Sequence, residues 1–504
     1  MELYHRKFIQ KVTFKTAVID IGSNSVRLVI FQGPSRSPEY FYNEKVICRL
    51  GLGVKEDGCL NNEGVRLASK ALIRFSHLIK KMNVAQIIGV ATAAVRNAKD
   101  GEEFLHKVKK ETGIKFEVLS GKQEAQHSAM GVLFGWPKAY GLVCDIGGLS
   151  IEFSEIRNGK ILSVQSEDLG PFAFTSSLNK NEQKKLMKKT LKKVKKILCM
   201  KNKSVFLVGG AWRALAKIDM ELRGYPLKIL HEYRMRSDEV MDTANWCINT
   251  TDQEIIQKTG ISKSRASSIK HACELILLLI QTLQPEKFFV SSYGLREGLL
   301  FEKMDSYLKD KDPLIEASMD YENRSARFPG FGEELYNWIS PIFPKLTKSE
   351  KRLVLSACLL HDTIWAAHPD YRAELCVETV TRANMGGIDH SGRLFLGLAL
   401  AYRYKGADEI SEMAAFKILR EKDKEKAVIL GKAMRLGSIL SGSAPGGLKK
   451  TKISVNGEIL ILAIDELERA LAGGVVKKRL KSLADSLNLA SKIVIENVKD
   501  DPFI

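Results

Sequence analysis

AVIDIGSNSVRLVIF (17–31) and LVCDIGGLSIEFSEI (142–156) are two versions of one pattern. Aligning Asp20 with Asp145 also brings Gly22 onto Gly147 and Ser25 onto Ser150. Each copy runs from apolar, partly β-branched residues through an aspartate and a glycine turn into a second apolar run. That order predicts a β-hairpin with a tight, polar turn. Recurrence at a domain-sized separation, with matching flanks, predicts that a domain has been duplicated.

The surrounding sequence fits an α/β protein. Strand-like runs at Thr16 to Ile21, Val26 to Phe31, Ile87 to Ala91, Phe116 to Leu119, Gly141 to Ile146, Ile151 to Ile156, Phe206 to Val208 and Phe288 to Ser291 alternate with helical patterns such as Asn62 to Met82 and Gly101 to Thr112. After Phe301 a charged, turn-rich stretch reads as a linker, placed at 306–326. Beyond Glu333 the pattern is helical, for example at Lys348 to Leu360, Leu394 to Tyr404 and Ala427 to Leu440. Only Lys452 to Ile461 reads as a strand there.

The hairpin turns carry the chemistry. Glycine allows a sharp turn and close approach of the backbone to a ligand, and successive turn N–H groups form a nest for phosphate oxygens. Ser23, Asn24 and Ser25 add side-chain donors. An aspartate at a strand end, Asp20 or Asp145, suits Mg²⁺, which keeps much of its water. Two such hairpins facing each other would grip a phosphate chain from both sides.

Composition narrows the partners. The 504 residues exceed one hydrophobic core, and the 45% hydrophobic content is that of ordinary globular domains. A net charge of +19 favours a polyanion. Much of it sits in KKLMKKTLKKVKKILCMKNK (184–203), where Leu191, Val194 and Leu198 predict one packed helical stripe under a lysine face. Lysine in place of arginine argues against base-specific nucleic-acid readout. The longest apolar run, Leu275 to Leu283, falls short of the roughly 20 residues that span a bilayer. The first fifteen residues lack a signal-peptide apolar stretch. Cys48, Cys59, Cys144, Cys199, Cys247, Cys273, Cys358 and Cys376 show no CxxC spacing, which predicts buried thiols without disulfides or a zinc ribbon. The expectation is a cytoplasmic protein with no membrane or specific nucleic-acid partner.

Five segments resemble motifs of the exopolyphosphatase/guanosine pentaphosphate phosphatase family, within the actin/hexokinase-like ATPase superfamily. They are DIGSNSVRLVI from Asp20, ATAAVRNAKDGEEFL from Ala91, SGKQEAQ from Ser120, DIGGLSIEF from Asp145 and VSSYGLREGLLFE from Val290. The resemblance implies two duplicated actin-like (ribonuclease H-like) α/β domains, 1–132 and 133–305, followed by a mainly α, HD-like domain at 327–504. It implies that Glu124 activates water against a terminal phosphorus. Asp145 and Glu152, with Asp20, would hold Mg²⁺ or Mn²⁺. Ser23, Asn24, Ser25, Arg96, Gly147, Gly148 and Ser150 would bind phosphate, and the protein would be a homodimer. His127, near Glu124, reads as structural.

Three positions depart from the pattern. Leu149 stands where a third glycine is usual, so a side chain is expected to narrow the second phosphate loop. Gln123 replaces the first glutamate of the usual pair. In VGGAWRALA from Val208, Trp212 and Arg213 stand where the ATPase cousins hold adenosine, and could block or stack on a base. In the C-terminal region His361 and Asp362 resemble an HD metal pair, but the earlier histidine is missing from Phe328 to Ile339, and His368 and His390 lie elsewhere. A degenerate scaffold is expected. The substrate expectation is inorganic polyphosphate, with guanosine pentaphosphate as the alternative; an ATPase of the same superfamily and a noncatalytic polyphosphate binder are the competing classes.

Overall fold

The computed structural model describes residues 14–498 except 34, 38, 176–177, 198–202, 407–409 and 411. The chain divides into two compact units, Met1–Asp310 and Lys311–Ile504.

In the first unit both copies of the repeat fold as antiparallel hairpins. Strands β1 (Thr16–Ile21) and β2 (Ser25–Phe31) pair with Asp20 opposite Arg27, and β6 (Gly141–Ile146) and β7 (Ile151–Arg157) pair with Asp145 opposite Glu152. The turn bond is the same in each: Gly22 N–H donates to the Ser25 carbonyl at 3.0 Å, and Gly147 N–H to the Ser150 carbonyl at 2.9 Å.

The duplication extends to whole sheets. With β3 (Tyr40–Ile47), β4 (Gln86–Ala91) and β5 (Glu117–Val118), the first sheet has the order β3-β2-β1-β4-β5. With β8 (Lys160–Glu167), β9 (Ser204–Gly209) and β11 (Lys287–Val290), the second repeats it as β8-β7-β6-β9-β11, and β10 (Arg234–Arg236) is added at its edge. Strands β3, β8 and β10 were not foreseen in the sequence. Strand β3 is solvent-exposed at alternate positions and carries Asn43, Glu44 and Lys45, which mask its periodicity.

Two helices tie the sheets together. Gly121–Gly135 starts with a capping box at Ser120 and is buried along most of its length. Leu295–Glu302 crosses it at Gly131 and Gly298, where any side chain would strike the opposing backbone. Although the sequence placed Leu295–Glu302 with the second half, its Leu299 and Leu300 pack with Val18, Val29 and Phe31 of the first sheet.

Helix Lys180–Ile197 forms as expected and buries Met187, Leu191 and Val194, while Leu198 lies outside the described residues. Helix Lys263–Leu283 is long and apolar enough to span a bilayer by composition, yet it supplies Ala266, Ile269, Cys273, Ile276 and Leu279 to the second core. Cys59 is exposed, Cys199 lies outside the described residues, and the other six cysteines are buried free thiols.

The second unit is mainly helical. The linker expected at 306–326 is instead largely helix: Ser306–Lys309 lies in the first unit, and Pro313–Ser325 packs on Lys348–Leu360 in the second. Asp312 caps Pro313–Ser325 and its proline stands at the first turn, so the turn-like residues are start signals. The single expected strand is a hairpin, β12 (Thr451–Asn456) and β13 (Ile459–Ile464), joined in parallel by β14 (Ala490–Ile495).

Candidate active site

The two hairpin turns meet across one cavity of about 570 Å³ in the first unit. Its walls include Asp20, Gly22, Ser23, Asn24 and Ser25 from the first hairpin, and Asp145, Gly147, Gly148, Ser150 and Glu152 from the second. Glu124 enters from the first turns of helix Gly121–Gly135. All the sequence-derived site residues except Arg96 therefore converge on this space.

The loops are held by their backbones. Asn24 carbonyl accepts from Cys48 and Arg49 N–H, and Ser23 carbonyl accepts from Gly51 N–H at 2.8 Å. Gly148 sits so close to Ser23 that a Cβ would collide with it, and would press tightly on Phe172. Gly209, at φ +108° beside Asp145, needs glycine for its conformation as well as for space. Neither Gly22 nor Gly147 has a positive φ. The Gly147 N–H closes its own turn, so it is not the phosphate donor expected, whereas the N–H groups of Ser23, Asn24 and Gly148 have no acceptor among the described residues.

Arg96 differs from the expectation. It does not line the cavity; its Nη1 donates to Leu119 carbonyl at 2.6 Å and to Glu124 Oε2 at 3.0 Å. Its role in this geometry is to hold Glu124. His127 bonds through Nδ1 with the Gln123 carbonyl at 2.8 Å, and Gln123 completes the helix cap.

Leu149 also departs from the expectation. Its backbone is outside the left-handed region and its side chain is absent from the cavity wall. The side chain is fully buried in the first domain's core, with Val26, Leu50 and Val54 in the same cluster. Trp212 is likewise buried in the second core, so it neither blocks nor stacks on a base, whereas Arg213 does line the cavity and donates to the Ser292 carbonyl at 3.2 Å.

The cavity gathers charge of both signs. Asp20, Glu124, Asp145 and Glu152 all have carboxyl pKa values raised chiefly by burial; Glu124 reaches about 7 despite the opposing pull of Arg96. Arg27, Lys45, Arg213, Arg265 and Arg296 supply positive charge on the same walls. Arg296 Nη1 reaches Asp20 Oδ2 at 2.9 Å. Burial, with mutual repulsion behind it, lowers Arg27 to about 10 and Lys45 to about 8. Of these cations, sequence reasoning singled out only Arg213. The sequence carried no signal for Lys45, which the β2–β3 register sets directly opposite Arg27.

The carboxylates fit a divalent ion of magnesium type. Asp20 gives one oxygen to Arg296 and Asp145 gives Oδ2 to Ser128 Oγ, which leaves one oxygen on each. No compact cluster of three protein ligands exists among the described residues. Such a donor set suits an ion that keeps waters and takes substrate oxygens, rather than one caged by protein.

The family model described as Ppx/GppA phosphatase family matches residues 29–307, and that described as exopolyphosphatase, C-terminal, matches residues 314–494. The chain belongs to the Ppx/GppA phosphatase family. It is 28% identical over 318 residues to the bifunctional 3-dehydroquinate synthase/phosphatase of Fusobacterium nucleatum, covering 59% of this chain and 47% of that protein. It is 29% identical over 143 residues to exopolyphosphatase 1 of Mycobacterium tuberculosis, covering 28% and 42% respectively. The chain thus spans less than half the length of these two curated relatives. The crystal structure of the Aquifex aeolicus Ppx/GppA family member superimposes with a TM-score of 0.50 at 27% identity, over 59% of this chain and 99% of that one. These likenesses agree with an actin-like pair of α/β domains and a separate helical region.

In the second unit, Asp362 is held by Arg327 through Nε and Nη2, both at 2.8 Å, with Arg403 at 3.7 Å. His361 is buried, bonds through Nδ1 with the Cys358 carbonyl, and stays neutral, with its pKa pushed down by burial to about 3. Two guanidinium groups thus stand beside Asp362.

Proposed function

We propose that this chain is a phosphohydrolase that releases orthophosphate from the end of inorganic polyphosphate. The observation that carries the reading is the single cavity in which two phosphate-loop hairpins, a buried glutamate and five cations converge.

Glu124 is the general base. With a pKa near 7 it is ionised in a large fraction of molecules at neutral pH and still basic enough to take a proton from water. The water oxygen attacks the terminal phosphorus, its proton passes to a Glu124 carboxylate oxygen, and the bridging P–O bond breaks. The shortened chain leaves with the bridging oxygen, whose new charge is met by the cations of the cavity. Asp145, Glu152 and Asp20 would hold a divalent ion, which neutralises phosphate charge and acts as a Lewis acid when bound. The N–H groups of Ser23, Asn24 and Gly148 would orient the terminal phosphate, and Arg96 keeps Glu124 aimed.

Guanosine pentaphosphate is a second reading, suggested by Phe172 on the cavity wall, an aromatic residue of the kind that meets a base. Phosphate release from long polyphosphate, guanosine pentaphosphate and ATP, measured side by side, separates these readings, with Glu124→Ala as the control. Release that survives Glu124→Ala would sink the mechanism. No release from any of the three would leave a binding protein.

A further inference from the structure

Ser128 lies four residues after Glu124 on helix Gly121–Gly135, and at that spacing the two side chains share one face of the helix. The surroundings would suit alanine. Ala125, Ala129 and Val132 on the same helix are fully buried, and Ser128 itself is 1% exposed. A hydroxyl in such a place is costly unless it is bonded. A serine inside a helix commonly turns its proton back to the carbonyl of the preceding turn. Ser128 does not: its Oγ donates across to Asp145 Oδ2, near the end of β6.

Asp145 lines the cavity and Ser128 does not, so the hydroxyl acts on a ligand only through Asp145. A serine has one hydroxyl proton and an ionised carboxylate can only accept, which fixes the direction of the bond. Oδ2 is thereby occupied. Oδ1 stands beside Gly209, a second residue of the wall, where a Cβ would come within 2.9 Å of it. Glu152, the other acid of the second hairpin, is held in a similar way by Ser166 Oγ at 3.1 Å, from the facing position of β8. Ser166 is partly exposed, so water can replace its hydroxyl; Ser128 is enclosed and has no such substitute.

We propose that Ser128 is a positioning residue which, by occupying Asp145 Oδ2, leaves Oδ1 fixed for a divalent ion and so sets the affinity of the cavity for that ion. The proposal rests on the divalent-ion reading above. It also joins two parts of the reaction, because helix Gly121–Gly135 carries both the base and the support of Asp145. Four residues of helix rise about 6 Å, and one turn of backbone keeps the two at that separation.

The test measures Mn²⁺ binding to the full chain by calorimetry, without substrate, for wild type, Ser128→Ala and Ser128→Thr. Melting temperatures are taken in the absence of metal, and Asp145→Asn, alone and combined with Ser128→Ala, identifies the site the ion occupies. Loss of a hydrogen-bonding partner behind a metal ligand typically weakens metal binding by about 10- to 100-fold, and that is the rise in Kd expected for Ser128→Ala. Ser128→Thr keeps the hydroxyl and should stay within a few-fold of wild type. In the Asp145→Asn background Ser128→Ala should add nothing, since the two changes act through one bond. In phosphate release, the Mn²⁺ concentration for half-maximal rate should rise by the factor seen in Kd, while kcat falls less. A lower melting temperature with an unchanged Kd would make Ser128 purely structural and overturn the proposal. Ser128→Thr binding as weakly as Ser128→Ala would point to packing instead of the hydroxyl, and would overturn it too. A wild type that binds no Mn²⁺ would overturn the divalent-ion reading itself, whereas equal binding with and without the hydroxyl would overturn only the role of Ser128.

Discussion

Arg96 is bonded to Glu124 at 3.0 Å and, through the same Nη1, to the Leu119 carbonyl at 2.6 Å. The proposed base is thus fastened to the chain segment just before its own helix. The contact separates two roles for Arg96 that the sequence could not distinguish. A phosphate ligand lost by mutation would raise KM; a holder of the base would lower kcat and move the pH profile. Arg96→Ala removes the charge that opposes the burial-driven rise of the Glu124 pKa. The acid limb of kcat/KM should shift to higher pH, and kcat at neutral pH should fall by about ten- to a hundredfold, within the span of general-base catalysis. A rise in KM with an unmoved pH profile would return Arg96 to the phosphate.

The wild-type pH profile follows from the same group. Catalysis needs ionised Glu124, whose pKa is about 7. Well below that value kcat/KM should fall by about tenfold per pH unit, as for loss of a single required base. Glu124→Gln keeps the shape but cannot accept the proton. It should lose about 10²- to 10⁴-fold in kcat, with substrate binding kept within a few-fold when measured by calorimetry.

How much of this site was legible in the sequence depends on what each residue's neighbours are. The two hairpins were readable because strand, aspartate and glycine turn are contiguous, and local patterning settles them. Glu124 was readable because its motif is local to one helix start. Arg27, Lys45, Arg265 and Arg296 come from four separate segments, and only folding brings them to one cavity. Leu149 was misread for a related reason: a motif shows which residue departs, but the direction of its side chain is set by the partner domain. The linker was misread because Asp312 and Pro313 start helices as readily as they make turns.

Leu149 gives the next expectation. Its side chain is buried among residues of the first domain while its backbone belongs to the second phosphate loop. Leu149→Gly would restore the usual loop sequence but empty that packing site. Emptying a buried leucine position costs about 3 kcal/mol, and glycine adds backbone freedom to the unfolded chain. The variant should unfold at lower temperature and lower urea concentration than wild type. Its KM for polyphosphate should not improve, because the side chain does not line the cavity. A tighter KM with unchanged stability would mean that Leu149 does narrow the loop.

In the second unit the pairing of Arg327 with Asp362 predicts a structure independent of metal. Asp362 is almost fully buried and bonded through both oxygens, while the Arg327 side chain is 39% exposed. Breaking a fully buried pair costs about 3–5 kcal/mol, but solvent access to Arg327 and the nearby Arg403 reduce this to about 1–2 kcal/mol. Arg327→Ala should therefore lower the unfolding midpoint of this unit modestly. Chelation of divalent ions should leave the wild-type midpoint of this unit in place, since the guanidinium groups already supply the charge a metal would bring. Acid should act through His361. Its pKa is lowered to about 3 in the folded state from an ordinary 6.5, so the unfolded chain takes the proton first. Its contribution is fully present above about pH 6.5 and is lost progressively as pH falls toward 3. His361→Asn should flatten that part of the stability–pH curve, whereas an unchanged slope would show that other groups govern acid unfolding.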